Sequence, residues 1–501
     1  MAGCSKIIVV SLLNFWHMSL EEIRQTRLNK IKLLRENKMD PYPSRAMRTH
    51  TIRDVHADFS SLQASGQTIS IAGRVRAARS HGGSTFLDIE DGTGKLQCYL
   101  KEDTLGKDSY DFFNSVVDVG DIMEASGTVF VTKKEEQTLG IAEWRMLAKS
   151  LLPLPEKWHG LKDIEERLRR RHLDLIMDQK IREIFVKKSI FWQETRTFLM
   201  KEGGLEVETP VLERIPGGAD AEPFKTHLNA LDIDLYLRIA PELNLKRLIV
   251  GGYDKIFEIG RIFRNEGIDG EHLQDYTQME MYWSYTDYKQ LMQIVERLVT
   301  YVIEKTLGGL THIYQNKNID WSAPWSQIDY YEVFNQYTGL NLADVSEKEL
   351  KNYAHDNGID AQKHAGRGRL IDIIFKKKVR PHLLEPGFLI LPPVDIEPLA
   401  KRWSQDVGRV ERFQIVAGGS ELGKGFSELN DPFDQRERFI EQTKLGKAGD
   451  KEAQRMDEDF VEALEYGMPP TAGFAYSERL FSFLMDRPIR ETVFFPLLRP
   501  K

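Results

Sequence analysis

Three stretches concentrate residues able to do chemistry. The densest is FEIGRIFRNEGIDGEHLQDYTQMEMY, Phe257 to Tyr282, two alternating runs around a polar loop with Gly267 and Gly270, the pattern of a β-hairpin. Arg264 closes the first run, and the loop holds Glu266 and His272. A guanidinium at a strand end beside such a loop can grip a phosphate and an adenine edge. Alternation separates Arg261 from Arg264 and sets Glu280 and Tyr282 on one face. A surface salt-bridge ladder is the plainer reading, but the density of mixed charge and aromatic rings argues against it. The second stretch, GGSELGKGFSELNDP from Gly418 to Pro432, reads as a loop placing Glu421, Glu428 and Asp431 among glycines. Clustered carboxylates there can hold Mg²⁺ or an ammonium group, the alternative being an ordinary polar loop. In the third, GMPPTAGFAYSERL, a Pro-Pro-Thr-Ala-Gly turn leads to an apolar helix with Arg479 near its start. A cation there opposes the helix dipole, which hints at a ligand, a stacked base or the outer phosphate of a triphosphate.

The elements that must position these residues follow from periodicity. Neither Gly-x-Gly-x-x-Gly nor a Walker loop occurs, so a nucleotide site must be built from side chains on a sheet. Ile184/Phe185, Phe191/Trp192 and Phe198/Leu199 recur every seven residues and predict a long amphipathic helix ended by Gly203-Gly204. LEVETPVL follows as a strand, and YKQLMQIVERLVTYVIEKTL is a second long helix. This half is α+β, built on a mainly antiparallel sheet flanked by helices. Upstream, QTISIAGRVRAA, STFLDIED, KLQCYL, DIMEASGTVFV and QTLGIAEWRML are short strands divided by Gly-rich turns, predicting a small closed barrel of the oligonucleotide-binding (OB) type. Leu152-Pro153-Leu154-Pro155 ends it, and EERLRRRHLDL is an arginine-dense hinge.

The 501 residues are 41% hydrophobic and 29% charged, enough to build real cores and too apolar for a disordered chain. A net charge of −7 announces no global field for nucleic acid, although recognition depends on where charges sit. Two cysteines, Cys4 and Cys98, lack metal-ligand spacing and fit a reducing, cytoplasmic setting. Residues 7–16, IIVVSLLNFW after Lys6, resemble an export signal but are too short to span a bilayer, and no cleavage site follows. Met18 is therefore expected to be the biological start, with 1–17 an extension. From Ser19, capped with Glu22 three residues on, runs a helix carrying Arg24, Arg27, Lys30, Lys32, Arg35 and Lys38. That basic face can lie against phosphate or simply be solvated. The expected division is 1–17, the basic helix and linker 18–62, the barrel 63–152, the hinge 153–175 and the second domain 176–501.

Taken in order, LEVETPVL with Pro210, FRNEG around Arg264, and Glu478-Arg479 resemble the three signature motifs of class II aminoacyl-tRNA synthetases. IPGGADAEPF, RIAPELNLKRLIVGGYDKIFEIGRIFRNEG and GKGFSELNDP resemble the bacterial lysine-specific type, and the likeness covers residues from about 19 to 501. It implies ATP-dependent activation of L-lysine to lysyl-adenylate and transfer to the 3′ end of tRNA(Lys), with an OB-fold anticodon-binding domain and a class II catalytic domain. It further implies that Arg264 bridges the lysine carboxylate and the α-phosphate, while Glu266 and Tyr276 hold the adenine. His272 and Arg479 would meet the outer phosphates, and Glu421 a Mg²⁺ ion. Gly218 and Glu242 would meet the lysine α-amino group, and Glu280, Tyr282 and Glu428 its ε-ammonium. In the barrel, Phe86, Gln97 and Glu136 fall where the family reads the anticodon; by alternation alone Phe86 would be core. A homodimer through the first motif and no membrane association are implied as well.

The chain departs from the family pattern at several places. Gln414 stands where a metal-binding glutamate is usual, Lys424 where asparagine is usual, and Leu273 replaces an asparagine beside His272. The third motif is one residue shorter before its arginine, and AYSER lacks the usual glycines. The changes at 414 and 424 make the local charge more positive by about two units, so Lys424 is expected to take over part of one Mg²⁺ ion's role. A lysyl transferase acting on a protein and an inactive RNA-binding paralogue are the rival readings.

Overall fold

The computed structural model describes residues 19–155, 163–219, 221–267, 270–360, 366–447 and 454–500. Cys4, Met18 and the segment 1–17 lie outside the described residues, as does 156–162 within the expected hinge. The chain forms two compact units, Met1–Lys162 and Asp163–Lys501.

In the first unit, helix α1 (Leu20–Glu36) opens with the expected capping box, Ser19 and Glu22 each accepting the other's backbone N–H. Strands β1 (Ile69–His81), β2 (Ser84–Glu90), β3 (Lys95–Lys101), β4 (Ile122–Val131) and β5 (Gln137–Ala148) close a barrel in the order β1-β2-β3-β5-β4. Thr85, Leu87 and Ile89 of β2 point inward with Ile71, Cys98, Leu100 and Leu139, which leaves the even-numbered β2 residues outside. The basic helix is only partly a free cationic face. Arg27 is buried and donates to the carbonyls of Ser150, Leu152 and Val119, and Lys30 pairs with Asp118 at 2.7 Å.

In the second unit, α2 (Gln179–Lys201) buries Phe185, Phe191 and Leu199, the stripe that the seven-residue spacing predicts. It packs with α4 (Tyr288–Leu307) on one face of an eight-stranded sheet; α3 (Glu242–Val250) lies between them in the chain. The strands are β6 (Leu205–Glu206), β7 (Lys255–Phe263), β8 (Asp275–Ser284), β9 (Ser326–Asp329), β10 (Gly387–Ile390), β11 (Arg412–Ala417), β12 (Ser420–Ser427) and β13 (Thr471–Ser477). Their spatial order is β9-β10-β11-β12-β13-β8-β7-β6, parallel only at the two outer pairs. The helix-covered face carries Phe413, Ile415, Phe474, Tyr476, Met279, Met281 and Trp283, fully buried apolar side chains that hold the sheet flat against α2 and α4.

Three expectations change. The Gly-rich stretch 418–432 is not a loop, because most of it is β12, a central strand. Thr471, Ala472 and Gly473 are likewise strand rather than turn, and the short helix α5 (Glu478–Leu484) follows directly. Glycine weakens isolated strands, but here neighbours on both sides supply the ladder, and the missing side chains leave room above the sheet. LEVETPVL divides: Leu205–Glu206 pairs with β7, whereas Leu212–Glu213 joins a separate three-stranded sheet. The arginines of the segment EERLRRRHLDL are committed to partners within the chain. Arg167 and Arg171 both bind Asp174, Arg169 and Arg170 pair with Glu165 and Glu166, and buried Arg171 donates to the carbonyls of Glu491, Val493 and Phe494.

Candidate active site

Residues directly opposite on neighbouring strands share a face. Across the open side of the sheet one row reads Gln414, Lys424, Ala475, Glu280 and Glu258, and the next reads Arg412, Phe426, Gly473 and Tyr282. Glu280 and Tyr282 share one face as alternation predicts, and the structure adds a hydrogen bond, the phenol donating to Glu280 Oε2 at 2.9 Å. Glu428, just beyond β12, turns toward them and is 1% exposed. Its entry depends on Gly473, where a β-carbon would stand 2.3 Å from Glu428 Oε1 and 2.4 Å from the Tyr282 ring. Gly218, at φ +83°, backs directly onto Glu242, its absent β-carbon falling 2.8 Å from Glu242 Cβ.

Glu242, Glu280 and Glu428 thus form one buried acidic cluster. Lys246, one turn after Glu242 on α3, bridges two of them, with Nζ at 2.6 Å from Glu242 Oε1 and 2.5 Å from Glu428 Oε2. Burial, then the neighbouring Glu242, pushes the Glu280 carboxyl up to about 7. Burial likewise raises Glu242 and Glu428 above the usual carboxylate range, Lys246 offsetting it only in part. Burial alone would lower Lys246, but the carboxylates of Glu242 and Glu428 hold it above the ordinary lysine value. Glu428 Oε1 is buried without a hydrogen-bond partner. Acids in excess of cations, with an unsatisfied oxygen, make a receptor for an added ammonium group.

The candidate anion-binding side lies along the same face. Arg264 follows β7, its backbone N–H bonded to Gln274 O at 2.8 Å, and its guanidinium stands 5.7 Å from the Tyr276 ring. Its Nε is buried without a partner, an unused donor suited to an oxyanion. Tyr276 is buried with Ile262, Leu273 and Ile489, so the leucine at 273 extends an apolar cluster behind the ring. Glu266 is half-buried in the loop and His272 exposed; Arg479, at the start of α5, forms an ion pair with Glu271. Glu421 reaches this face through a bulge: Ile415 opposes Gly423, but Val416 opposes Glu421, which shifts the alternation by one.

Among the described residues no group of three or more His, Cys, Asp or Glu side chains could hold a metal by itself. One carboxylate on an open face suits a Mg²⁺ ion that arrives with nucleotide phosphates and takes most of its ligands from them. Lys424 is not a lone cation: its Nζ lies 3.1 Å from Glu397 Oε2. Glu397 also faces Arg412 at 3.5 Å, and Arg412 donates to Gln414 Oε1 at 2.8 Å. Burial would raise the Glu397 carboxyl, but Lys424 and Arg412 together hold it below the usual range. Lys424 and Arg412 are thus both held by one buried carboxylate on this face.

On the barrel, Phe86 is half-buried on the outer surface, not in the core; Thr85, Leu87 and Ile89 occupy the interior instead. Its ring lies 4.8 Å from Tyr99, which lies 6.1 Å from Phe130. Gln97 accepts from Thr138 Oγ1 at 3.0 Å, and Glu136 is exposed beside β5. Half-buried surface rings with adjacent polar groups can stack and read unpaired bases.

Sequence reasoning missed Lys246, Glu397 and Gly473. Only Lys246 carried a signal, the four-residue spacing from Glu242 on a helix. Glu397 meets Lys424 only through the sheet's long-range pairing.

A small closed barrel and a sheet whose open face carries an ammonium receptor beside the unpaired Nε of Arg264 together define an aminoacyl-tRNA synthetase of class II. The family described as tRNA synthetases class II (D, K and N) matches residues 163–499, and the OB-fold nucleic acid binding domain matches 69–154; the chain belongs to this family. It is 44% identical to the lysine–tRNA ligase of Carboxydothermus hydrogenoformans over 488 residues, 97% of this chain and 99% of that one. The lysine–tRNA ligases of Roseiflexus castenholzii (44% identical, 97% and 100% covered) and Thermotoga maritima (43%, 96% and 97%) are similar to the same extent.

Proposed function

We propose that this chain is a lysine–tRNA ligase. The observation that carries the reading is the buried cluster of Glu242, Glu280 and Glu428 around Tyr282, which shares a sheet face with Arg264. A charged side chain fits such a cluster, whereas a neutral one leaves carboxylates buried and unpaired. The lysine carboxylate attacks the α-phosphorus of ATP, forming an acyl–phosphate bond as pyrophosphate leaves. No covalent enzyme intermediate is needed, so the side chains act by positioning and charge neutralisation.

In this reading Arg264 spans the carboxylate and the α-phosphate, its planar fork suiting two oxyanions. Glu266 and Tyr276 hold the adenine, and His272 and Arg479 the outer phosphates, Arg479 exchanging Glu271 for phosphate. Gly218 and Glu242 receive the α-ammonium; Glu280, Tyr282 and Glu428 receive the ε-ammonium. The 3′-hydroxyl of the terminal adenosine of tRNA(Lys) then attacks the carbonyl carbon and AMP leaves. Mg²⁺ bound with ATP neutralises phosphate charge; Glu421 would hold it, and Lys424, kept in place by Glu397, reduces the number of ions needed.

Residues 63–152 bind the anticodon through Phe86, Gln97 and Glu136, 153–175 join the domains, and 176–501 carry catalysis. The run of exposed apolar side chains Leu205, Val211 and Leu212 around Pro210 supports a homodimer through the first motif. No helix among the described residues is long and apolar enough to cross a membrane, and we assign the protein to the cytoplasm. The barrel favours tRNA over a protein acceptor. ATP–pyrophosphate exchange across a panel of amino acids, followed by charging of tRNA, tests the proposal: lysine alone should support exchange and be transferred. Exchange without transfer to tRNA, or exchange with a neutral amino acid in preference, would overturn it.

A further inference from the structure

The acidic cluster contains a cation that belongs to the protein. Lys246 is completely buried, held by Glu242 and Glu428 and flanked by the rings of Phe426 at 5.4 Å and Phe460 at 6.0 Å. No solvent reaches it, so its charge is a permanent part of the pocket. Among the described residues, the other charged groups facing the cluster have partners of their own, apart from Arg264 and Glu213. Glu397 is matched by Lys424 at 3.1 Å and Arg412 at 3.5 Å, Glu258 by Arg238 at 2.5 Å, and Asp457 by Arg247 at 3.0 Å. Arg264 remains for an oxyanion, Tyr282 is neutral, and burial pushes the nearby Glu213 carboxyl up to about 8, where it keeps its proton near neutrality.

We infer that Lys246 is a positioning residue that sets the charge of the pocket: three carboxylates against one internal ammonium leave two negative charges, which a substrate with two ammonium groups completes. The inference rests on reading this pocket as the lysine site and adds a reason for its selectivity. Free lysine brings an α-ammonium and an ε-ammonium, and its carboxylate goes to Arg264, so with Lys246 three ammonium groups meet the three carboxylates. A substrate with one ammonium leaves one carboxylate without a partner in a buried site, where it must take a proton or repel the ligand.

The geometry also says what Lys246 does when the pocket is empty. It keeps Glu242 and Glu428 apart in charge and holds both oxygens at fixed distances, leaving Glu428 Oε1 and the Glu280–Tyr282 pair open to the ligand. The empty pocket carries a shared proton near neutral pH, and the arriving ammonium displaces it.

The test is proton release on lysine binding, measured by titration calorimetry of the full chain in buffers of different ionisation enthalpy. For the wild type, release should approach about one proton below the Glu280 transition and vanish well above it. Lys246→Met removes a cation within hydrogen-bond reach of two carboxylates, so the pH midpoint of release should rise by about one unit or more. Lys246→Arg keeps the charge and should keep the midpoint. A folded Lys246→Met protein with the wild-type midpoint would overturn the inference. Should that variant fail to fold, wild-type protein with norleucine, which has no ε-ammonium, decides: binding without proton release supports the charge count, and release equal to that with lysine overturns it. Absence of lysine-dependent pyrophosphate exchange in the wild type would instead remove the underlying assignment of the pocket.

Discussion

A β-carbon on Gly473 would collide with Glu428 Oε1 at 2.3 Å, so the bare backbone of β13 is what lets the Glu428 carboxylate enter the pocket. Gly473→Ala must displace either that carboxylate or the Tyr282 ring. Overpacking of this kind costs about 1–3 kcal/mol, so the KM for lysine should rise by about 5-fold to about 150-fold while the KM for ATP changes less. Steady-state pyrophosphate exchange measures both constants. An unchanged lysine KM would remove Gly473 from the pocket floor.

The Glu280 carboxyl is pushed from its ordinary 4.5 up to about 7 in the folded chain, by burial first and then by Glu242. Between those values the folded state binds more protons than the unfolded state, so stability from this group is complete below 4.5 and is lost as pH rises through about 7. The melting temperature of wild type relative to Glu280→Gln should therefore fall over that interval. Lysine supplies the missing cation, so its thermal shift on the wild type should grow as pH rises. Equal lysine-induced shifts at about pH 5.5 and about pH 8 would contradict the assignment.

Phe86 stands on the outside of the barrel, its ring tilted against Tyr99, and contributes little to the interior. Phe86→Ala should lower kcat/KM for tRNA charging by about ten- to hundredfold, the range of a lost base stack, and leave pyrophosphate exchange intact. Parallel assays of the two half-reactions separate these outcomes. Equal losses in both would mean that the ring serves folding instead.

Lys424→Asn leaves Glu397 facing Arg412 without its nearer partner, and removes a positive charge from the open face. The Mg²⁺ concentration giving half-maximal exchange should move upward, on the order of twofold or more. A titration of both proteins at fixed ATP checks this. An identical optimum would show that Lys424 carries none of the ion's role.

How much of this site could be read in the chain depends on the range of the interaction. Glu280 and Tyr282 were legible together because strand alternation needs no knowledge of a partner strand. The hairpin that aims Arg264 and Tyr276 was legible because two alternating runs flank a Gly-containing loop. The strand character of 420–427 and 471–477 was not: local glycine content argues for loops, and only the strands on either side override it. Glu421 was assigned by resemblance, but by alternation it should have faced the opposite side from Lys424; a bulge returns it.

By itself the sequence determined the two-part architecture, the capped helix, the five-stranded barrel and the common face of Glu280 and Tyr282. These follow from periodicity, caps and motif order, all properties of neighbouring residues. Only the tertiary structure decided the charge of the pocket and the fate of the basic segments. Lys246 meets Glu428 across 182 positions, Glu397 meets Lys424, and Arg27 and Arg171 are spent on internal carbonyls and acids. Net charge and local spacing say nothing of such pairings, because electrostatic energy is set by distance and burial in the folded chain.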